Sequence, residues 1–205
     1  MNKARQLNEI HSKWFKDCVC ELQKTATQPV PGVGNPEARI VFIGEAPGKD
    51  EDEQGQPFVG RAGKFLNEML TSIGMKREDV YITNTVKYRP PNNRDPLPEE
   101  KSACYHWLAD ELNCIQPKLI VTLGRHALSN FVPEARISDV HGKVLKKRGH
   151  LHLADGNSIV LSTEYFFPLY HPAAAMYNGD LRKVIIEDFK KIPEILKNYA
   201  ASREV

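Results

Sequence analysis

The chain lacks long apolar runs, net charge, abundant cysteine and any repeated unit, and each absence removes a class of protein. No apolar segment approaches the roughly 18 residues that a membrane-crossing helix needs. The N-terminus is polar and basic and carries no apolar block of signal-peptide length. The protein is therefore expected to be soluble and intracellular, in the cytoplasm or nucleoid if its source is a prokaryote. A formal net charge of +2 is too small for a protein that coats nucleic acid through bulk positive charge. Only 4 cysteines occur in 205 residues, and in an intracellular protein they are expected to be reduced.

What the sequence does contain is a core. Hydrophobic residues make up 41% of the chain, enough for a single domain over residues 1–205, with a helix around 4–23 and a Pro/Gly-rich linker at 28–36 packed on it. Residues 39–43, 79–85, 118–123 and 166–170 read as buried strands, separated or followed by amphipathic helices, the pattern of a mostly parallel α/β sheet. In the first connecting helix Phe65, Leu66, Met69, Leu70 and Ile73 share one face, and Gly74 ends it. A second helix covers 98–115. A last helix over 180–198 places Leu181, Val184, Ile185, Phe189, Ile192 and Leu196 at helical spacing. The β-prone stretch 137–162 predicts a hairpin at a sheet edge.

Ligands of such sheets bind beyond the C-terminal ends of the strands. Three polar loops start there: Gly44 to Gly60, the turn at Asn84, and His171-Pro172-Ala173. An Asn amide can bond to a ring carbonyl and the adjacent ring N–H together, which suits the polar edge of a pyrimidine. Phe58 offers a stacking face, and a histidine can donate to an oxygen that becomes negative. Singly, the first loop reads equally well as an acidic surface turn, Asn84 as a strand cap and His171 as a structural histidine; together they describe a nucleobase site. Basic clusters lie at Lys87, Arg89 and Arg94, at Lys143, Lys146, Lys147 and Arg148, and at Arg182 with Lys183, each either a solvated face or a phosphate contact.

The ordered set Gly44-Glu45-Ala46-Pro47-Gly48, Glu51-Asp52, Gly55-Gln56-Pro57-Phe58-Val59-Gly60, Tyr81-Ile82-Thr83-Asn84, Arg89-Pro90-Pro91-Asn92-Asn93-Arg94 and His171-Pro172-Ala173 resembles the family 4 uracil-DNA glycosylases, from about residue 17 to 190. The resemblance implies a three-layer α/β/α fold with a mostly parallel four-stranded central sheet. It also implies hydrolysis of the bond between uracil and deoxyribose after the nucleotide is flipped out of the duplex. Uracil-containing DNA would be the partner, met by a monomer. Phe58 would stack on uracil, Asn84 would read its edge, His171 would bond O2 of the departing base, and Glu45, Ala46, Pro47 and Gly48 would wall the pocket. A carboxylate could assist from Glu45 or Glu51, and Glu51 could instead crowd the C5 position against thymine. Met176 or Tyr177 could wedge into the duplex or pack in the core. Arg89, Lys143 and Arg182 would touch phosphates. His141 reads as a surface hairpin residue at a place where the family usually has arginine. Two alternatives stay open: a non-catalytic uracil or single-strand DNA-binding module, and a glycosylase whose preference has moved to hypoxanthine or xanthine.

The family typically binds a 4Fe-4S cluster through four cysteines, and here the set is incomplete. With Cys20 aligned, Asp17 holds the first position and Tyr88 the third, Cys104 keeps the fourth, Cys18 is shifted by one and Cys114 is surplus. Tyrosine is a poor substitute for thiolate at such a cluster, so no cofactor is expected. A zinc site from Cys18, Cys20, Cys104 and His106 is the other metal arrangement, without the usual spacing.

Overall fold

The computed structural model describes residues 2–200. It opens with α1 (Lys3–Asp17), capped by the Asn2 side chain accepting from the Ala4 N–H. The helix expected to reach residue 23 stops at Asp17, and the chain resumes as a single 3₁₀ turn over Glu21–Lys24. The reason is the alternation between them: Cys18 and Cys20 are buried while Val19 is 86% exposed, a period of two that an extended segment satisfies and a helix does not.

In chain order there follow β1 (Val33–Gly34), β2 (Ile40–Gly44), α2 (Lys49–Gln54), α3 (Arg61–Ser72), β3 (Tyr81–Asn84), α4 (Pro98–Ile115), β4 (Leu119–Leu123) and α5 (Arg125–Ser129). Then come α6 (Ile137–Val140), β5 (Leu145–Lys146), β6 (His150–His152), β7 (Ser158–Val160), β8 (Tyr165–Leu169), α7 (Gly179–Phe189) and α8 (Ile192–Ala200). The sheet runs β1-β3-β2-β4-β8-β5. Its four inner strands are parallel, as expected, and its two edges are antiparallel two-residue strands too short to show a sequence period. Short edges of this kind close the sheet against further pairing. The segment 137–162 divides: β5 takes the edge, while the hairpin β6–β7 pairs as a sheet of its own.

Successive residues of β2 point to opposite faces. Ile40 and Phe42 pack with Phe65, Leu66, Met69 and Leu70 of α3 and with residues of α7 and α8. Val41 and Ile43 pack with α1, α4 and α5 through Leu7, Leu108, Leu112 and Leu128. Both faces are covered, which makes the three-layer α/β/α fold, and each buried Leu, Ile or Phe contributes about 1.5–3 kcal/mol. The single helix expected over 180–198 is two helices, because Pro193 has no N–H and in a continuous helix its ring would strike the carbonyl of Phe189. Pro193 instead falls in the first turn of α8. Among the described residues no helix is long and apolar enough to cross a membrane.

Candidate active site

Parallel pairing brings the C-terminal ends of β2, β3, β4 and β8 side by side, with Gly44 opposite Asn84. A cleft of about 640 Å³ opens over them, lined by Glu45, Ala46, Pro47, Gly48, Glu51, Phe58, Asn84 and His171 among others. All of the residues assigned to uracil from sequence thus meet in one place.

Phe58 is held there against its backbone preference, at φ 54°, a left-handed conformation that costs a non-glycine residue about 1–3 kcal/mol and persists only where surroundings impose it. Two anchors do so. Arg77 donates to the Phe58 carbonyl at 2.9 Å and also to that of Pro57, and the Glu51 carboxylate accepts the N–H groups of Val59 at 3.0 Å and Gly60 at 2.9 Å. Glu51 therefore binds the loop that presents the ring, through one oxygen that reaches as far as the residue before α3. Gly44 is required beneath the ring: a Cβ there would lie 2.7 Å from Phe58 Cζ and 2.4 Å from Asn84 Oδ1.

Asn84 is 2% exposed, and its side-chain amide makes no hydrogen bond to the described residues, so its donors and acceptor are free for a ligand in the cleft. Its backbone is fixed from behind by Lys87. That lysine, expected among the surface basic residues, is instead wholly buried. Its Nζ lies 2.6 Å from Glu111 Oε2 and donates to the Asn84 carbonyl at 3.0 Å and to Thr83 Oγ1 at 2.5 Å. Glu111 also accepts from Thr83 Oγ1 and from the Gly32 N–H, each at 3.0 Å. A buried ammonium needs such a partner, and a distant helix supplies it.

His171 follows β8. Its Nδ1 accepts the Ala173 N–H at 3.1 Å, which leaves the proton of the neutral ring on Nε2. Burial, with His126 adding to it, pulls the ring's pKa down to about 4, so at neutral pH His171 is an uncharged donor. Its ring centroid is 5.8 Å from that of Phe58.

Glu45 directly follows β2. Burial pushes its carboxyl up to about 7, with Asp95 adding to the shift and Lys101 and Arg125 opposing it. Its Oε1 is buried with no hydrogen-bond partner; the nearest donors are Lys101 Nζ at 3.7 Å and His126 Nδ1 at 3.5 Å. Glu45, Asp95 and His126 offer ligand atoms within 4.8 Å of one another. Lys101 and Arg125, the latter donating to His126 Nε2 at 3.0 Å, already supply positive charge there.

Sequence reasoning missed the end of β4. Gly124, Arg125 and His126 line the cleft, as do Asn93 and Arg94. Three of the four inner strand ends were assigned chemistry, and the same rule applied to the fourth points to these residues. The DNA-facing assignments lie outside the cleft lining. Tyr177, just after the 3₁₀ turn Pro172–Met176, is 86% exposed and not packed in the core, whereas Met176 is half-buried. Arg89 bonds Asn93 at 2.8 Å, Lys143 bonds the Asp139 carbonyl at 2.8 Å, and Arg182 pairs with Glu68 at 3.0 Å while lying over Phe65. His141 is not a free hairpin residue: its Nδ1 is 2.6 Å from Asp188 Oδ2.

The cysteine region is one buried cluster of Cys18, Cys20, Cys104, Tyr88, Leu22, Val86 and Trp107. Cys18, shifted in sequence, still joins the others: its thiol donates to the Ala103 carbonyl at 3.6 Å and that of Cys20 to the Glu100 carbonyl at 3.8 Å, and the proximity of Cys104 lowers both pKa values while its own is raised. Tyr88 fills the remaining corner. Its phenol is pushed up to about 12, chiefly by burial, and receives a hydrogen bond from Gln23 at 2.9 Å. A protonated phenol is not a thiolate, so this donor set does not fit a cluster held by four cysteines. Nor does it fit zinc: among the described residues the cysteine and His106 ligand atoms do not close to within 4.8 Å of one another, and His106 stacks on Trp14.

The family model described as the uracil DNA glycosylase superfamily matches residues 31–192. A type-4 uracil-DNA glycosylase of Archaeoglobus fulgidus is 50% identical over 182 residues, covering 86% of this chain and 86% of that protein. A type-4 uracil-DNA glycosylase of Thermotoga maritima is 42% identical over 201 residues, covering 96% of this chain and 98% of that protein. A type-5 uracil-DNA glycosylase of Thermus thermophilus is 40% identical over 116 residues, but these cover only 49% of this chain and 52% of that protein. Identity of this order along nearly the whole length, within a superfamily match that spans the sheet, means that this chain belongs to the type-4 uracil-DNA glycosylases.

Proposed function

We propose that the cleft hydrolyses the N-glycosidic bond of deoxyuridine in DNA, releasing uracil and leaving an abasic site, as one step of base-excision repair. The observation that carries this reading is the Asn84 side-chain amide, which lines the cleft without a hydrogen bond to the described residues, beside a ring held at φ 54°. Uracil's N3–H and O4 match that amide while Phe58 stacks on the base. The nucleotide enters by flipping, at an unstacking cost of a few kcal/mol. Exposed Tyr177 fills the gap left in the duplex, and Arg89, Lys143 and Arg182 meet the backbone.

In the chemical step the C1′–N1 bond breaks and its electron pair passes to the uracil ring, leaving a cationic sugar. The neutral His171 donates Nε2–H to O2, where negative charge grows. Removing such a donor lowers the rate about a hundred- to a thousandfold. Water then adds to C1′ and gives a proton to Glu45, whose carboxyl near 7 is matched to the working pH of a general base. Glu51 serves by keeping the Phe58 loop in place. The chain acts as a monomer, in the compartment that holds the DNA, and needs no metal cluster.

Single-turnover strand scission tests this, using labelled single- and double-stranded oligonucleotides that contain uracil or hypoxanthine, followed by alkali. Breaks at uracil are expected, with Glu45→Gln and His171→Ala each slower by about a hundredfold or more. No break in any strand would refute the enzyme reading, and breaks at hypoxanthine alone would refute the substrate.

A further inference from the structure

His126 has no role in the chemistry proposed for the cleft, yet it lines the cleft beside Glu45. It belongs to α5, set by Gly124 at φ 92°, so the turn after β4 projects its ring over the end of β2. The ring is approached from both sides. Nδ1 lies 3.5 Å from Glu45 Oε1, and Nε2 lies 3.4 Å from Asp95 Oδ2 and accepts from Arg125 Nε at 3.0 Å. The closer donor decides the tautomer: an Nε2 that accepts from Arg125 leaves its ring's proton on Nδ1, aimed at the one carboxylate oxygen of Glu45 that is buried and unpartnered.

We propose that His126 is a positioning residue for Glu45, donating Nδ1–H to Oε1 as the cleft closes on DNA and so turning Oε2 towards the attacking water. The inference rests on Glu45 being the base. Arg125 fixes the tautomer of His126 and also lowers the Glu45 pKa by its own charge. The 3.5 Å separation is the loose contact expected of a catalytic hydrogen bond without substrate, which tightens in the bound state. Of the remaining groups facing Glu45, Lys101 from α4 stands at 3.7 Å and also stabilises the carboxylate, Asp95 is a like charge, and His171 uses its own proton on the base. Asp95 also favours the protonated imidazole, but burial, Arg125 and Lys101 lower its pKa, which keeps the neutral donor at working pH.

The test is the pH profile of single-turnover uracil release. Activity needs ionised Glu45, so it rises with pH through the carboxyl pKa. Removing a donor to the carboxylate raises that pKa and moves the acid limb to higher pH. His126→Leu is expected to move its midpoint up by about one pH unit and to slow the reaction about fivefold at pH 7, with KM unchanged. His126→Asn, whose amide nitrogen can take the place of Nδ1, restores the midpoint. A His126→Leu midpoint equal to that of the native chain, or an Asn variant no better than Leu, overturns the proposal. Glu45→Gln separates the two readings: if it keeps full rate, the base assignment itself has failed. If it removes the acid limb while His126→Leu leaves that limb in place, only this inference has failed.

Discussion

Replacing Lys87 with methionine removes one buried charge and leaves its partner. Lys87 and Glu111 are both fully buried and 2.6 Å apart. Burial alone would push the Glu111 carboxyl up, yet Lys87 and His11 outweigh it and hold the pKa at about 2, against an ordinary value of 4.5. That depression corresponds to roughly 3 kcal/mol of native-state preference for the carboxylate. Breaking a buried pair from one side costs about 3–5 kcal/mol, a large share of the ~5–15 kcal/mol that holds a domain together. For a chain of this size Lys87→Met should lower Tm by about 6–20 °C at pH 7. The double variant Lys87→Met with Glu111→Leu, which leaves no orphaned charge, should recover most of that loss. The pH dependence has a definite sign. Glu111 is depressed in the folded state, so its contribution is complete above about 4.5 and disappears as pH falls towards 2. The gap between native and variant therefore narrows in acid. Thermal unfolding followed by circular dichroism from pH 3 to pH 8 measures it. A Lys87→Met Tm within about 2 °C of native at pH 7, or a double variant no more stable than the single, would refute the reasoning.

Two further outcomes follow from the site. Gly44→Ala places a methyl 2.4 Å from Asn84 Oδ1 and 2.7 Å from Phe58 Cζ. It should weaken inhibition by free uracil about tenfold, towards the low end of overpacking costs, and an unchanged inhibition constant would show that the ring and amide need not approach so closely. Purified chain should carry far less than the roughly four irons per molecule that a full cluster requires, and stoichiometric iron with a visible sulfur-to-iron absorbance would overturn the argument from Tyr88.

The parallel sheet was legible because its strands are continuous apolar runs and its ligand end follows from topology. Asn84 and His171 could be read as one site because each closes or follows such a run, and Phe58 because it lies in the long polar loop that β2 opens. What stayed hidden depends on contacts that leave no local signature. Pro193 did carry a signal for the break between α7 and α8, but the helical spacing of the flanking apolar residues masked it. The loop-holding bonds of Glu51 stayed hidden because a carboxylate beside a pocket has the same sequence appearance whether it faces substrate or backbone. They are its bonds to the Val59 and Gly60 N–H groups.

Lys87 is the sharper case. Its neighbours Arg89 and Arg94 suggested a basic face, and what reverses the reading is Glu111, 24 residues away on another element. The strand end must be rigid if the Asn84 amide is to hold one orientation. The Thr85 and Val86 N–H groups bond back to Gly44 and Glu45, and a buried lysine bonding the Asn84 carbonyl and the Thr83 hydroxyl adds to that hold. Its charge is tolerable only because α4 brings a carboxylate to meet it. The same helix carries Lys101, which faces Glu45, so one element behind the sheet sets the electrostatics around both Asn84 and Glu45. That coupling is invisible in the motifs themselves, which contain neither Glu111 nor Lys101.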